Sequence, residues 1–395
     1  MDRLCENIID IAKQEKEQKK ISIACLHLNH GGIEMAVTSL ANALSEAGYS
    51  VELLCTYRLC EPVYALNSQV TVTYLTDRRP NQREIAAAWS SRRFFDLVRE
   101  LSHAFFTLLQ KRATMIRAIR RVQDGVLLST RHEYTLLLSR YGRPGVWKMA
   151  QLHQDHQFSR KRIRQMKTGY RNIDVLVLPT RQAADELQDI LSSSLPVLSC
   201  VAIPHFLSYQ REPHSVAKKK QVIAVGRLHP EKGFARMLKI WSRISPLHPD
   251  VMLKIVGDGD QRRQLEEESR KLKIQDTVLF TGMLPHNQVL DEMEQSLCYW
   301  MTSLEESFGF VLIEAFSCGI PAVAYDVRTG PREIVEDGVN GFLVPDGNED
   351  KMVEKMHVLL SEEGTRQRLG RQAKQAALRY EKTAILQKWI QWMKG

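Results

Sequence analysis

The feature of this sequence that most limits its fold is a series of short apolar runs separated by helical patterns, which stops once and then begins again. The first series starts with the run Ile21–Leu28 and continues to about residue 205. After the polar stretch 210–220, a second series starts with Gln221–Val225. Buried parallel strands read as apolar runs, and their alternation with helices favours a parallel sheet covered on both faces. We therefore predict an α/β protein with two doubly wound, Rossmann-like domains that face each other across a cleft.

The chain divides into four parts according to this pattern. We predict an N-terminal domain over residues 1–205, a linker over 206–220, a second domain over 221–375, and a C-terminal helix over 376–395 that packs back towards the first domain. A length of 395 residues is sufficient for two full cores.

Cellular location is indicated by what the sequence lacks. No apolar run approaches the roughly 20 residues that span a bilayer, and the polar N-terminus does not resemble a signal peptide. The seven cysteines show no CxxC spacing, which favours free thiols over disulfides or zinc. We expect a cytoplasmic protein, in peripheral contact with the inner face of the membrane.

Positive charge is concentrated in the first half of the chain, although the whole protein carries only +9. Residues 1–205 contain 28 Lys and Arg against 20 Asp and Glu, whereas residues 206–395 contain 27 against 26. Within residues 92–181 the count is 19 against 6. Such a concentration of positive charge implies an acidic partner. Nucleic acid, an anionic bilayer and a phosphate-containing polymer all qualify.

A long basic helix is predicted over residues 92–122. It carries apolar residues at helical spacing, and we expect this stripe to be core rather than a membrane anchor. The stripe consists of Leu97, Leu101, Phe105, Leu108, Met115 and Ile119. Two basic clusters are candidates for binding an anionic acceptor or lipid headgroups, with a merely solvated surface as the alternative. They are Arg117, Arg120 and Arg121 on this helix, and Arg160, Lys161 and Arg162 on the helix after residue 156.

Two glutamates eight positions apart enclose the segment Glu306–Glu314, which follows the apolar run Leu297–Met301. Interpreted as strand, loop and helix, the segment places Gly309 at a helix N-terminus, where backbone N–H groups attract phosphate. Glu306 would lie on the loop and Glu314 one turn into the helix, so each carboxylate can bind one set of ligand hydroxyls. The pattern predicts a site for a phosphorylated, hydroxyl-rich ligand. The simpler alternative is that both glutamates only favour the helix dipole.

A second charged pair follows the first strand of the second series. Arg227 and Lys232 are five positions apart, across a turn that contains Pro230. At the carboxyl end of a strand both side chains can project towards the cleft, where a guanidinium and an ammonium bind phosphate oxygens. We interpret the pair as a diphosphate site opposite the loop that carries Glu306, which we call the acidic loop. Surface solvation is the alternative.

Three further residues lie at predicted strand ends in the first half of the chain. Gly31 and Gly32 occupy the first strand-to-helix turn, where glycine allows a ligand to approach the backbone or simply allows a tight turn. His153 follows the run Val146–Leu152. A histidine there fits a metal site, a base or a hydrogen-bonding group, and His156 is the reserve candidate.

Together these motifs resemble the retaining glycosyltransferases of family 4, which have the GT-B fold. The resemblance covers nearly the whole chain and is strongest over residues 221–345. It consists of the acidic pair, the spacing G-R-x(4)-K-G, the Gly-Gly-Ile-Glu string and the strand-end histidine. The strings Leu-His-x-x-His and Arg328–Ile334 are similar to the branch of the family that glycosylates polymers such as teichoic acids.

The resemblance implies transfer of a sugar from a nucleotide sugar, specifically a UDP-sugar, to a hydroxyl of a cell-envelope glycan, glycolipid or phosphate-containing polymer. Residues 1–205 would be the acceptor side and residues 221–375 would bind the donor. The implied catalytic residues are His153, Arg227, Lys232 and Glu306. The implied donor-binding residues are Gly31, Gly32, Arg227, Lys232, Gly282, Met283, Leu284, Glu306, Phe308, Gly309, Phe310, Val311 and Glu314.

No cofactor and no metal are expected, because arginine, lysine and helix amides can stabilise the leaving diphosphate. The expected partners are the donor, a glycan, lipid-linked or polymer acceptor and an anionic membrane, but not nucleic acid. Two other classes of function remain. One is a catalytically inactive partner subunit, against which the presence of all four charged site residues argues. The other is a basic nucleic-acid-binding protein, for which no recognisable module is present.

Overall fold

The computed structural model describes residues 20–29, 31–153, 158–207 and 217–393. They form two compact units. The first unit comprises the described residues within Met1–Leu178, Ala184–Ile203 and Leu386–Gly395, and the second comprises those within Pro179–Ala183 and Pro204–Ile385. Among the described residues, no helix has both the length and the apolar character needed to cross a membrane.

The first unit is built on a seven-stranded parallel sheet with the strand order β3-β2-β1-β4-β5-β6-β7. Its strands are β1 Lys20–Cys25, β2 Ser50–Tyr57, β3 Thr71–Thr76, β4 Val126–Ser129, β5 Trp147–Gln151, β6 Val175–Leu178 and β7 Ser199–Ala202. The helices that follow these strands in the chain are α1 Gly32–Glu46, α2 Gln82–Ser90, α3 Phe94–Arg121, α4 His132–Tyr141, α5 Arg160–Gly169 and α6 Arg181–Ser192.

The second unit is built on a six-stranded parallel sheet with the strand order β10-β9-β8-β11-β12-β13. Its strands are β8 Gln221–Val225, β9 Met252–Val256, β10 Val278–Gly282, β11 Cys298–Met301, β12 Ala322–Asp326 and β13 Gly341–Pro345. The later helices are α7 Phe234–Ile244, α8 Arg262–Lys271, α9 His286–Gln295, α10 Phe310–Ser317, α11 Gly330–Ile334, α12 Glu349–Ser361, α13 Glu363–Ala377 and α14 Lys382–Met393.

These two sheets confirm the predicted fold class of two doubly wound, Rossmann-like domains. Strand β8 has the predicted bounds, Gln221–Val225. It is buried on both faces, since Val222 and Ala224 belong to one hydrophobic cluster and Ile223 to the other. This two-sided burial is why the strand reads as an uninterrupted apolar run.

The prediction for the stripe of the long basic helix was wrong. Helix α3 exists at about the predicted place, but Leu101, Phe105 and Leu108 are 50%, 59% and 60% exposed. Of the predicted core stripe only Met115 and Ile119, in the second half of the helix, are buried. Helical periodicity shows that an apolar face exists, but not which element covers it, and the first half of this face is about half exposed.

Candidate functional site

Strands β8 and β11 are neighbours in the second sheet, and the strand order reverses between them. Val222 pairs with Cys298 and Ile223 with Tyr299 across this boundary. Because the two strands are parallel, the segments that follow them leave the sheet at the same edge, which is where doubly wound sheets bind ligands. Those two segments carry the charged residues predicted from the sequence.

Lys232 and Glu306 meet at this edge. The Nζ atom of Lys232 lies 2.6 Å from Oε2 of Glu306, and the hydroxyl of Ser303 lies 3.4 Å from the same oxygen. The two charged side chains are 26% and 14% exposed, so this ion pair is only partly solvated. The structure thus brings together an ammonium predicted for phosphate and a carboxylate predicted for hydroxyls, although they are 74 positions apart in sequence.

Arg227 is not part of this contact. Its Nη2 atom lies 3.4 Å from Oε1 of Glu231, and the side chain is 70% exposed. The guanidinium therefore lies on the Pro230–Lys232 turn, in reach of solvent. Surface pairs of this kind contribute little to stability, which leaves the side chain available to rearrange.

The two charged segments are held together by several direct hydrogen bonds. The N–H of Leu304 donates to the carbonyl of Glu231 at 2.7 Å, and the hydroxyl of Thr302 donates to the carbonyl of Gly233 at 3.0 Å. Arg236 donates through Nε to the carbonyl of Thr302 at 2.6 Å. Gly233 has a φ of 66°, and a Cβ there would lie 1.9 Å from the Thr302 carbonyl oxygen. The close approach of the two segments therefore requires glycine at this position.

Helix α10 begins directly after the acidic loop. Gly309 caps it with a φ of 88°, which disfavours any side chain. The first-turn N–H groups, including those of Phe310 and Val311, have no partner within the helix itself and carry the positive end of its dipole. This N-terminus follows Glu306 by only a few residues, so an anion bound there would lie near the Lys232 ammonium.

A third segment, residues 328–330, supports the acidic loop from behind. The N–H groups of Thr329 and Gly330 both donate to the Glu306 carbonyl at 2.9 Å, while the N–H of Glu306 donates to the carbonyl of Arg328 at 3.2 Å. A Cβ at Gly330 would lie 2.1 Å from the carbonyl oxygen of Phe308. The string Arg328–Ile334 was predicted only as a mark of a family branch, and its supporting role was not predicted.

Glu314 lies inside α10 with only 6% of its side chain exposed. Its Oε1 atom is 2.7 Å from Nε2 of His286, the first residue of α9. His286 was not predicted. It follows the segment Gly282–Leu284, which was predicted to belong to the donor site. The contact places that segment beside α10, and Met283 within it is 66% exposed.

His205 packs against the aromatic residues on either side of Gly309. Its ring centroid is 5.3 Å from that of Phe308 and 6.3 Å from that of Phe310. Removal from water disfavours the imidazolium form and lowers the pKa of His205 to about 4. The imidazole is therefore neutral at physiological pH and acts as an apolar packing group behind the acidic loop.

This lowered pKa predicts acid sensitivity. Above the unfolded-state pKa of ~6.5 the imidazole is neutral in both states and contributes nothing to pH dependence. As the pH falls from ~6.5 to ~4 the unfolded chain binds a proton that the folded protein does not, so we expect a loss of about 1–3 kcal/mol of unfolding free energy. Urea unfolding of the wild type and of His205→Gln at several pH values is the measurement, and parallel pH profiles of the two proteins would contradict the assignment.

Gly31 and Gly32 lie in the first unit, at the start of α1. A Cβ at Gly31 would lie 2.1 Å from Oε2 of Glu34, whereas Gly32 has open space around it. Glu34 is nearly buried, with its Oε1 atom 3.5 Å from His27 Nδ1 and 3.6 Å from Arg131 Nη2. Burial lowers the pKa of His27, and the Glu34 carboxylate partly opposes this. Glu34 is the last residue of the Gly-Gly-Ile-Glu string, but its ion pair with Arg131 was not predicted.

His153 follows β5 and is half-buried, whereas His156 lies outside the described residues. The predicted basic clusters occupy separate helices. Arg117 and Arg121 are exposed on α3, and Arg120 lies with its guanidinium 5.1 Å from the ring centroid of Tyr141. On α5, Arg160 and Lys161 are exposed and Arg162 is half-buried. Within the described parts of the chain, no group of three or more His, Cys, Asp or Glu residues is arranged to hold a metal ion.

Comparison with known proteins agrees with this architecture. Residues 208–376 match the family model of glycosyl transferases group 1. The chain is 28% identical over 370 residues to an exopolysaccharide phosphotransferase of Streptomyces coelicolor, covering 91% of this chain but 39% of that relative. It is 26% identical over 368 residues to the amylovoran biosynthesis glycosyltransferase AmsD of Erwinia amylovora, covering 91% of this chain and 95% of the relative.

Solved structures show the same fold. The S. aureus TarM G117R mutant, in complex with Fondaparinux, alpha-GlcNAc-glycerol and UDP, matches with a TM-score of 0.76 over 96% of this chain and 100% of that chain, at 14% identity. The two Rossmann-like domains and the structural similarity to TarM together identify the GT-B fold. Within that fold, residues 208–376 are similar to the glycosyl transferases group 1 family.

Proposed function

We propose that this enzyme transfers a sugar from a UDP-sugar to a hydroxyl of a cell-envelope glycan, glycolipid or phosphate-containing polymer, with retention of the anomeric configuration. The observation that carries the proposal is the 2.6 Å contact between Lys232 and Glu306 at the strand-order reversal, next to the N-terminus of α10. One small region thereby offers an ammonium, a carboxylate and free helix amides. A sugar linked to a diphosphate needs these three kinds of group.

The diphosphate would lie between Lys232, Arg227 and the first turn of α10. As the bond from sugar to diphosphate breaks, negative charge grows on the leaving oxygen, and cationic groups fixed beforehand stabilise that charge at low reorganisation cost. Lys232 is fixed by its contact with Glu306, whereas exposed Arg227 has to turn away from Glu231. Glu306 would then accept hydrogen bonds from the transferred sugar.

The nucleoside would lie further along the same sheet edge. Glu314 would bind the two ribose hydroxyls, with His286 sharing one of its oxygens, and the segment Gly282–Leu284 would lie against the base. The presence of UDP in the TarM complex supports uridine as the nucleoside. We retain the catalytic role of His153 that the family resemblance implies.

The family resemblance is the basis for proposing retention, and the roles of these groups are compatible with it. Glu306 is paired with Lys232, so it is a poor candidate for a covalent nucleophile and a good one for hydrogen bonding. We propose that the acceptor hydroxyl attacks the anomeric carbon on the side from which the diphosphate leaves. A new carbon–oxygen bond forms to the acceptor, the bond to the diphosphate breaks, and the hydroxyl proton moves to a donor phosphate oxygen.

The direct test is a screen for UDP release from a panel of UDP-sugars, with GDP- and ADP-sugars as controls. We expect slow hydrolysis of one UDP-sugar and its acceleration by an acceptor that carries glycerol phosphate or a related envelope glycan. NMR of the product then reports its anomeric configuration. An inverted product would overturn the retaining mechanism, and binding of no uridine nucleotide would overturn the donor assignment.

Activity is expected to survive chelation by EDTA. The positive charge that the diphosphate needs is supplied by Lys232, Arg227 and the α10 amides. Asp258, in the acidic string Asp258–Asp260 after β9, is engaged with Arg262 at 3.1 Å. Initial rates with and without chelator are the measurement. Complete loss of activity that Mg²⁺ or Mn²⁺ restores would contradict the proposed charge arrangement.

The acceptor is expected to be held by the basic first unit. Charges on an exposed surface are screened within about 8 Å at physiological salt, so acceptor binding should weaken as salt rises. Replacing Arg117, Arg120 and Arg121 together by glutamine should raise the apparent KM for acceptor and flatten its salt dependence, while UDP affinity stays the same. Acceptor kinetics from low to high salt measure this. A wild-type salt slope in the triple variant would place the acceptor elsewhere.

A further inference from the structure

A continuous set of large apolar side chains lies exposed on α2 and on the first half of α3. We call it the α2–α3 apolar face. Its aromatic members are Trp89, Phe94, Phe95, Phe105 and Phe106, which are 74%, 70%, 88%, 59% and 58% exposed. Its aliphatic members are Val98, Leu101, Leu108 and Leu109, which are 47–60% exposed. An uncovered face of this size on a folded protein marks an interaction surface.

The α3 members lie on one side of the helix. Phe94, Val98, Leu101, Phe105 and Leu108 follow one another at intervals of three or four residues, which places them in a single stripe. The residues of α3 that are buried in the unit, Thr107, Met115, Ala118 and Ile119, are all in its second half or on other sides of it. The first half of the helix therefore has a free apolar face rather than an incomplete core contact.

Positive charge surrounds this face. Residues 81–121 contain nine Lys and Arg against three Asp and Glu, a net charge of +6. The side chains of Arg93 and Arg99 are both 72% exposed, and Asp96 between them is neutralised by pairing with both. Exposed Arg112 continues the stripe one turn beyond Leu108. The face thus combines aromatic rings with guanidinium groups at its edge.

The combination of aromatic rings and guanidinium groups favours one of the partners that could cover an apolar face. A second copy of the chain would bring two positively charged surfaces against each other, which costs electrostatic free energy. An anionic lipid surface instead offers phosphates to the arginines and an interfacial region to the aromatic rings, where Trp and Phe are favoured. The charge and the side-chain types are both complementary to lipid.

We propose that the α2–α3 apolar face docks the protein on an anionic membrane, with its aromatic rings in the interfacial layer and Arg93, Arg99 and Arg112 on lipid phosphates. The docking surface is separate from the donor residues of the second unit and does not depend on the proposed reaction. It would keep the first unit beside lipid-borne acceptors. Its failure and the failure of the enzymatic proposal are therefore distinguishable by separate measurements.

The test is co-sedimentation of the purified protein with vesicles of phosphatidylcholine, with or without phosphatidylglycerol, in the absence of any sugar nucleotide. We expect the wild-type protein to bind the anionic vesicles. The double variant Phe95→Ser with Phe106→Ser should bind more weakly, by roughly tenfold for each ring removed, because each missing ring no longer contributes its free energy of transfer from water. Val197→Ser is the matched control, because Val197 is 82% exposed in the same unit outside this face. Its binding should equal that of the wild type.

Charge and insertion are tested separately. Replacing Arg93, Arg99 and Arg112 by glutamine should abolish the preference for phosphatidylglycerol, and brominated lipid should quench fluorescence in the wild type but not in Trp89→Phe. Circular dichroism checks that each variant is folded. Absence of vesicle binding by the wild type would overturn the proposal, as would equal losses in Val197→Ser. A dimer, seen by sedimentation velocity, that only the double phenylalanine variant loses would identify a second copy as the occupant and would overturn it too.

Discussion

Replacing Lys232 by alanine is expected to lower turnover at saturating donor by about 10²–10³-fold, the usual consequence of removing one group that stabilises a leaving anion. Lys232 is the cation that the structure holds against the acidic loop, 2.6 Å from Glu306. Its removal takes away the positive charge and frees Glu306, whose carboxylate would then repel the diphosphate. Both effects act more strongly on the transition state than on the bound donor.

Two further variants make this prediction specific. Arg227→Ala should show a loss in the same range, because a guanidinium that has turned towards the diphosphate binds it only while the bond is breaking. Lys220→Ala is the matched control, since Lys220 also forms an ion pair, with Asp250, but lies on the surface of the same unit. Single-turnover rates with saturating donor separate chemistry from product release. Wild-type turnover in Lys232→Ala would remove this residue from the phosphate site.

The second large effect is expected at the two glutamates, which should differ in what they bind. Glu314→Ala should weaken UDP binding by about 10–100-fold, the range for lost hydrogen bonds to a buried charged group. The reason is that Glu314 is buried in α10 and contacts His286, which follows the segment Gly282–Leu284 that we propose lies against the base. Glu306→Ala should leave UDP affinity nearly unchanged and weaken only the intact UDP-sugar. The loop position of Glu306, beside Lys232, motivates the difference.

Calorimetric titration of each variant with UDP and with the donor decides between these roles. Glu354→Ala serves as the control for loss of a glutamate, since Glu354 is 60% exposed and pairs with Lys355, its neighbour in the chain. Glu306→Gln should recover part of the donor affinity, because the amide oxygen still accepts a hydrogen bond. Equal losses for both ligands in both glutamate variants would refute the assignment of separate sugar and ribose contacts.

The fold could be predicted from the sequence because the pattern that identifies each strand or helix lies within a few neighbouring residues. Each strand of a parallel sheet covered on both faces is an apolar run, as Gln221–Val225 shows, and each helix has its own period. In a parallel sheet the carboxyl ends of all strands lie at one edge. That was sufficient to expect Lys232 and Glu306 at the same edge, whereas their contact at 2.6 Å depends on β8 and β11 being neighbours in the sheet.

Errors and omissions arose where a residue's environment comes from elsewhere in the chain. The stripe on α3 has the period of a core helix, yet Phe105 is 59% exposed, because periodicity records that a face is apolar and not what covers it. Strands β7 and β13 were missed as well. They are edge strands of their sheets, and each pairs on one side only, with the strand that precedes it in the chain.

The sequence by itself determined the two-domain architecture, the edge at which the charged residues gather and the glycines that allow the turns there. Only the tertiary structure decided the partners of those residues, namely His286 for Glu314, the 328–330 segment for the Glu306 backbone, and Arg131 for Glu34. These partners are between 22 and 97 positions apart in sequence. The physical reason is that helix, strand and turn preferences act over a few neighbouring residues, whereas side-chain contacts depend on how whole elements pack.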